Sequence, residues 1–320
     1  MLLTVKRKTT LVKTYRQIAV AMLLTLFQYV FSPLALAFNG MQLADYMKLK
    51  GSREPDAVLH YGKESSQYAQ LFLAHAEKKT ALSPVVILIH GGCWDKSAQG
   101  IPQMGELAEA FSQHGIAVWN VEYHRINEEG GGYPKTYNDI SSAIDMLKQS
   151  AQQYSLDLSR VVLVGHSVGG HLVQWAAASN NMKSEYLQPA NLAFKGVVAL
   201  GSLPNMENMQ QACSNLTETD YQNLLGMVNH QRKDPYSDTS PYHMGSPKTP
   251  VTLLNGARDT ISIPDYANEY TEKYNQHPSE VKTIIVPGAT HYDLVSTRSS
   301  AWPILLNEVR VLLGKQAEAQ

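Results

Sequence analysis

Six short runs rich in apolar and β-branched residues punctuate the chain: 85–89, 117–123, 161–164, 196–200, 251–254 and 282–286. A strand with one wet face alternates apolar and polar residues, whereas a strand covered on both sides reads as a nearly unbroken apolar run. Between the runs lie segments with helical spacing, at 104–113, 137–153, 169–179, 265–275 and 301–313. In the second of these Ile140, Ile144, Leu147 and Ala151 share one face at intervals of three to four. Strand and helix therefore alternate, which predicts an α/β fold: a mainly parallel, doubly wound sheet with helices on both faces.

Two stretches break that rhythm. Residues 38–80 are mixed, with Tyr68 to His75 as an additional antiparallel strand ahead of the first buried one. Residues 201–249 are rich in Asn, Gln, Met, Ser and Pro without a clear period, and a connection that long between strands is usually functional. Its position predicts a cap-like insertion, in which the methionines and Tyr221 are candidates to line a pocket.

The amino terminus differs from the rest. Lys6, Arg7, Lys8, Lys13 and Arg16 precede an apolar run from Ile18 to Phe31, and Ala35-Leu36-Ala37 supplies a small-residue cleavage site. This pattern predicts a signal peptide over 1–37, export to the periplasm or outside, and an α/β domain over 38–320. The alternative is an uncleaved membrane anchor over 18–37. The two cysteines, Cys93 and Cys213, lie far apart in sequence, and spacing leaves both pairing and separate burial open. The formal net charge of -1 offers no footprint for nucleic acid. A small, roughly neutral molecule is the expected partner, and after cleavage no membrane is involved.

Gly165-His166-Ser167-Val168-Gly169 joins the third run to the third helical segment. Strand, G-x-S-x-G and helix together form the context in which a sharp turn lifts a serine hydroxyl above a sheet edge, and the glycines leave room for that turn. A serine nucleophile needs a base, and the base needs an acid that orients it. Asp259 follows the 251–254 run and His291 follows the 282–286 run, so both stand at carboxyl ends of strands, in the order Ser, Asp, His. His277 precedes its strand and falls at the opposite edge; His166 beside the serine is expected to pack against the turn. The oxyanion of an acyl-transfer intermediate needs N–H donors. The amide of Val168 and those of the glycine turn at Gly91, Gly92 and Cys93 are the candidates, with Gly92 or Cys93 preferred on the loop side.

Taken with Ser240-Pro241 and Gly288-Ala289-Thr290-His291, these motifs resemble the α/β-hydrolases of the carboxylesterase and lipase type that carry H-G-G, near the kynurenine formamidase-like and bacterial esterase members. Cys93 stands where formamidases tend to have Tyr, and Val168 where they tend to have Ala. The resemblance implies a serine esterase using Ser167, His291 and Asp259, with an arylformamidase or other amide hydrolase as the alternative and an inactive binding protein on the same scaffold as a second. Those roles imply no metal or organic cofactor. The absence of a long apolar lid helix points to short acyl esters.

Overall fold

In the computed structural model, which describes residues 40–75, 82–182, 184–275 and 280–314, the apolar runs are strands of one sheet. In chain order these are β1 (Ala57–His60), β2 (Tyr68–Phe72), β3 (Ser83–Ile89), β4 (Ala117–Val121), β5 (Leu156–His166), β6 (Gly196–Leu200), β7 (Val251–Gly256) and β8 (Val281–Val286). They lie in the order β1-β2-β4-β3-β5-β6-β7-β8. Strand β2 is antiparallel to both β1 and β4, and every other pair is parallel. The described residues belong to one compact unit. The expected signal peptide or anchor, and His277, lie outside the described residues.

The helices are α1 (Leu43–Tyr46), α2 (Gly105–Gln113), α3 (Lys135–Ser150), α4 (Val168–Ser179), α5 (Met209–Ala212), α6 (Glu218–Leu225), α7 (Tyr236–Thr239), α8 (Pro264–Tyr274) and α9 (Ala301–Leu312). Successive strand residues point to opposite faces, and the core is split accordingly. Val85, Ile87, Val161, Leu163 and Val197 pack with Ile140, Ile144, Leu172 and Tyr270 of α3, α4 and α8. Val86, Leu88, Val162, Val164 and Val198 pack with Leu107, Phe111, Leu305 and Val309 of α2 and α9. Both faces of the parallel strands are thus covered, which is why their sequences do not alternate.

The structure differs from the sequence expectations at the edges of elements. Strand β1 was not foreseen, because four residues alternating between half-buried and exposed give too short a pattern to read. The antiparallel strand ends at Phe72, where its pairing with β4 stops. Strand β5 begins at Leu156, five residues before its apolar run, by pairing Leu156 with Ser83 ahead of an irregularity in register. Helix α3 begins at Lys135, directly after the Tyr133-Pro134 cis peptide, and ends at Ser150.

Between β6 and β7 the chain forms α5, α6, α7 and a 3-10 turn at Met206–Asn208. Thr217 and Asp220 close a capping box at the start of α6, so this polar stretch folds on local hydrogen bonds. Helix α4 holds it down: the ring nitrogens of His171 meet the carbonyls of Leu203 and Thr239 at 2.8 and 2.9 Å, and Trp175 Nε1 donates to Asp238 O at 2.8 Å. Within the insertion, Arg232 and the buried Asp238 carboxylate pair at 2.6 Å. Met206, Met209 and Tyr221 are buried in the core beneath the insertion and are not among the residues that line the cavity beside Ser167.

Backbone approaches closely at Gly169, where an added Cβ would stand 2.2 Å from Ile89 O and 2.4 Å from His90 O. Gly169→Ala must therefore push α4 off the end of β3. The expected cost is on the order of 1–3 kcal/mol, read as a lower urea midpoint; an unchanged midpoint would contradict the packing.

Candidate active site

Ser167 sits where β5 turns into α4, with φ 56° and ψ −122°. A non-glycine residue with positive φ is strained, and it persists only because the neighbouring backbone allows no other path. Here the path is closed by Gly165, where a Cβ would lie 2.1 Å from Gly169 O, and by the Ser167 N–H donating to Leu200 O at 2.8 Å. Val168 is the first residue of α4, and N–H groups of a helix's first turn have no partner within the helix.

Asp259 and His291 come from the loops after β7 and β8. His291 Nδ1 meets Asp259 Oδ2 at 2.7 Å. The other carboxylate oxygen, Oδ1, accepts the amides of Ile261 and Ser262 at 2.9 and 2.8 Å, which fixes the carboxylate's plane. A carboxylate only accepts, so Nδ1 is the donor of this bond and Nε2 is the ring nitrogen left for other partners. Gly201, with φ 51°, lets the pair form: a Cβ there would be 2.9 Å from His291 Nδ1 and 3.1 Å from Asp259 Oδ2. Sequence reasoning missed this residue, although a glycine directly after a strand at the same sheet edge was a usable signal.

His166 braces the loop that carries His291. Its Nε2 donates to the His291 carbonyl at 3.0 Å, and its Nδ1 lies 3.4 Å from the Tyr46 hydroxyl, which also bonds Gln103. Burial, followed by the neighbouring His291 ring, holds the His166 pKa well below the usual range, so the ring is neutral. It packs against the turn, as expected from sequence.

The His90-Gly91-Gly92-Cys93 loop leaves β3 against the serine. Gly91 allows the approach, since a Cβ would stand 2.9 Å from Ser167 Cβ. Gly92, Cys93 and Trp94 follow with φ of 111°, 48° and 61°. Among the described residues, neither the Gly92 nor the Cys93 amide meets an acceptor. The loop is anchored from below: His90 Nδ1 meets Gly91 O at 2.7 Å, and His90 Nε2 meets Glu122 Oε1 at 2.8 Å. Glu122 also accepts the Ile101 amide at 3.0 Å. Burial opposes the Glu122 charge, but His90, Arg125 and that amide outweigh it and bring its pKa down to about 2.

Cys93 and Cys213 form a disulfide, with Cα atoms 5.4 Å apart. Beside it a cavity of about 450 Å³ is lined by Ser167, His291, Gly92 and Cys93, by Ala212, Ser214 and Asn215 of the insertion, and by Leu43, Tyr46 and Met47. Leu43 and Tyr46 come from the one-turn helix α1 and Met47 caps its end, an element that the mixed pattern of 38–80 concealed. Its segment is tied to the His291 loop, because Met41 N donates to Asp293 Oδ1 at 3.1 Å and Thr290 Oγ1 donates to Met41 O at 3.0 Å. Gly91 and Val168 are not on the cavity wall.

The BD-FAE family pattern matches residues 70–274. The chain is 23% identical over 253 residues to a probable isoprenylcysteine alpha-carbonyl methylesterase of Oryza sativa subsp. japonica, covering 76% of this chain and 59% of that protein. It is 22% identical over 246 residues to esterase LipC of Mycobacterium tuberculosis, covering 73% and 59%. The chain thus spans 59% of the length of these two curated relatives. A carbohydrate esterase from gut microbiota superposes with a TM-score of 0.67 at 18% identity, over 83% of this chain and 99% of that one. Esterase B of Lactobacillus rhamnosis superposes at 0.68 and 18% identity, over 85% and 90%. With the mostly parallel sheet, these likenesses identify an α/β-hydrolase fold.

Two outcomes follow from the geometry. Gly201→Ala should separate His291 from Asp259, read as loss of the low-field Nδ1–H proton resonance; a retained resonance would refute the contact. Acid should weaken the fold in overlapping steps. Burial pushes the His171 pKa from 6.5 down to about 4, so the unfolded chain binds an extra proton between those values. Glu122, lowered from 4.5 to about 2, leaves the unfolded chain with the extra proton there as well. Unfolding free energy measured in urea should therefore fall steadily from about pH 7 to about pH 3, and a maximum near pH 4 would contradict both.

Proposed function

The chain belongs to the BD-FAE family of α/β-hydrolases, and from that premise we propose that it cleaves carboxylic esters through an acyl-enzyme on Ser167. The supporting observation is that Ser167 and His291 open onto one cavity while His291 is bonded to Asp259 at 2.7 Å. In this reading His291 Nε2 takes the Ser167 proton as Oγ attacks the carbonyl carbon. The imidazolium that forms is stabilised by Asp259 and returns its proton to the leaving alkoxide. Water, deprotonated by the same nitrogen, then attacks the acyl carbon and releases Ser167. The amides of Val168 and of Gly92 or Cys93 receive the negative oxygen, where such donors are most effective in a site shielded from water. Protein groups and water account for every proton and electron pair moved.

Short acyl groups fit best, because the cavity of about 450 Å³ is walled by the one-turn α1 and by the short elements of the insertion. The two curated relatives carry esterase names, which favours an ester over an amide. Export by a cleaved leader over 1–37 belongs to the same proposal and is supported by the Cys93–Cys213 bond, which suits an oxidising compartment.

Ser167→Ala should lower kcat/KM for p-nitrophenyl acetate by roughly 10⁴-fold or more, with acetate and butyrate esters preferred to long-chain ones in the parent. A fluorophosphonate probe should label Ser167. Activity retained in the variant, or labelling confined to another serine, would sink the assignment; absence of both turnover and labelling in the parent would indicate a binding protein.

A further inference from the structure

Cys93 contributes a candidate oxyanion amide, yet its side chain is committed to Cys213, 120 positions later. Cys213 directly follows α5, and its neighbours Ala212 and Ser214 line the cavity that Ser167 opens onto. The bond therefore joins two walls of one site. The conformation it holds is an unusual one, because Cys93 and the buried Trp94 both have positive φ, at 48° and 61°. Side-chain-bearing residues adopt that region when their surroundings impose it. Weaker contacts run alongside: Trp94 Nε1 donates to Met209 Sδ at 3.4 Å, and Asn215 Nδ2 donates to Cys93 O at 3.5 Å and to Asp95 Oδ2 at 3.4 Å. Asn215 is exposed, so those two long hydrogen bonds compete with water.

We propose that the Cys93–Cys213 disulfide is a positioning element of the hydrolase: it holds the Cys93–Trp94 turn with its amides available to the site and keeps the insertion against Ser167, so full activity requires the closed bond. The inference rests on the serine-hydrolase reading. A disulfide that only stabilised the fold would act by restricting the unfolded chain and would leave turnover per folded molecule unchanged. A positioning bond acts on the transition state, where the oxyanion has formed, so opening it lowers kcat more than it raises KM.

The test uses the full-length oxidised protein and p-nitrophenyl butyrate. Dithiothreitol opens the bond, giving up two electrons and two protons to form two protein thiols and its own cyclic disulfide; iodoacetamide then caps the thiols. Circular dichroism fixes an assay temperature below the melting point of the opened form. We expect kcat of the capped enzyme to fall by roughly tenfold to a hundredfold with KM much less affected. Cys93→Ala/Cys213→Ala, which cannot be bridged, should behave alike. Bridging the reduced thiols through one methylene from diiodomethane should restore most of the turnover. A kcat within about twofold of the oxidised enzyme, whatever the change in melting temperature, would overturn the proposal. So would failure of the methylene bridge to restore turnover in a folded protein. Oxidised Ser167→Ala, run in parallel, separates the two ideas: its retained activity would remove the serine-hydrolase reading, whereas its inactivity beside a thiol-insensitive parent would remove only the positioning role.

Discussion

The close approach of three backbones at the ends of β3 and β5 is the constraint on which the site depends. A methyl group at Gly91 would reach Ser167 Cβ, one at Gly169 would strike the carbonyls of Ile89 and His90, and one at Gly165 would strike Gly169. The serine is held at positive φ because these contacts leave the turn no other path. Its strain is met by the parallel pairing of β3, β5 and β6, whose side chains are buried on both faces. The rigidity of the sheet is thereby passed to a single hydroxyl.

Around that turn the site is assembled from supports that are themselves supported. Asp259 orients His291, two backbone amides orient Asp259, and His166 carries the backbone of the His291 loop. On the other side Glu122 and His90 underpin the glycine turn, and the disulfide ties that turn to the insertion. Buried polar groups are costly unless paired. Each of these is paired, so the pocket can hold charged and strained groups without yielding to them.

Much of this was legible in the chain because it is local. Strand–turn–helix around Gly165-His166-Ser167-Val168-Gly169, and a polar residue after each of the last two strands, depend only on nearby sequence and the direction of a parallel sheet. Other features depend on groups far apart. Gly201 matters because His291 and Asp259 arrive beside it from two other loops. Tyr46 matters because a one-turn helix lies against His166, and four residues carry no readable period. Met206, Met209 and Tyr221 were candidates for a pocket wall, and packing places them in the core.

What the sequence determined by itself was the fold class and the order of Ser167, Asp259 and His291 along the strand ends. Apolar runs, turn glycines and strand polarity constrain those through interactions a few residues in range. What only the tertiary structure decided was which distant walls meet: the bond from Cys93 to Cys213, the segment from Leu43 to Met47 at the cavity, and Gly201 beside the His–Asp pair. The physical reason is that such contacts are set by how helices and loops pack across the whole sheet, and sequence separation carries no information about that distance.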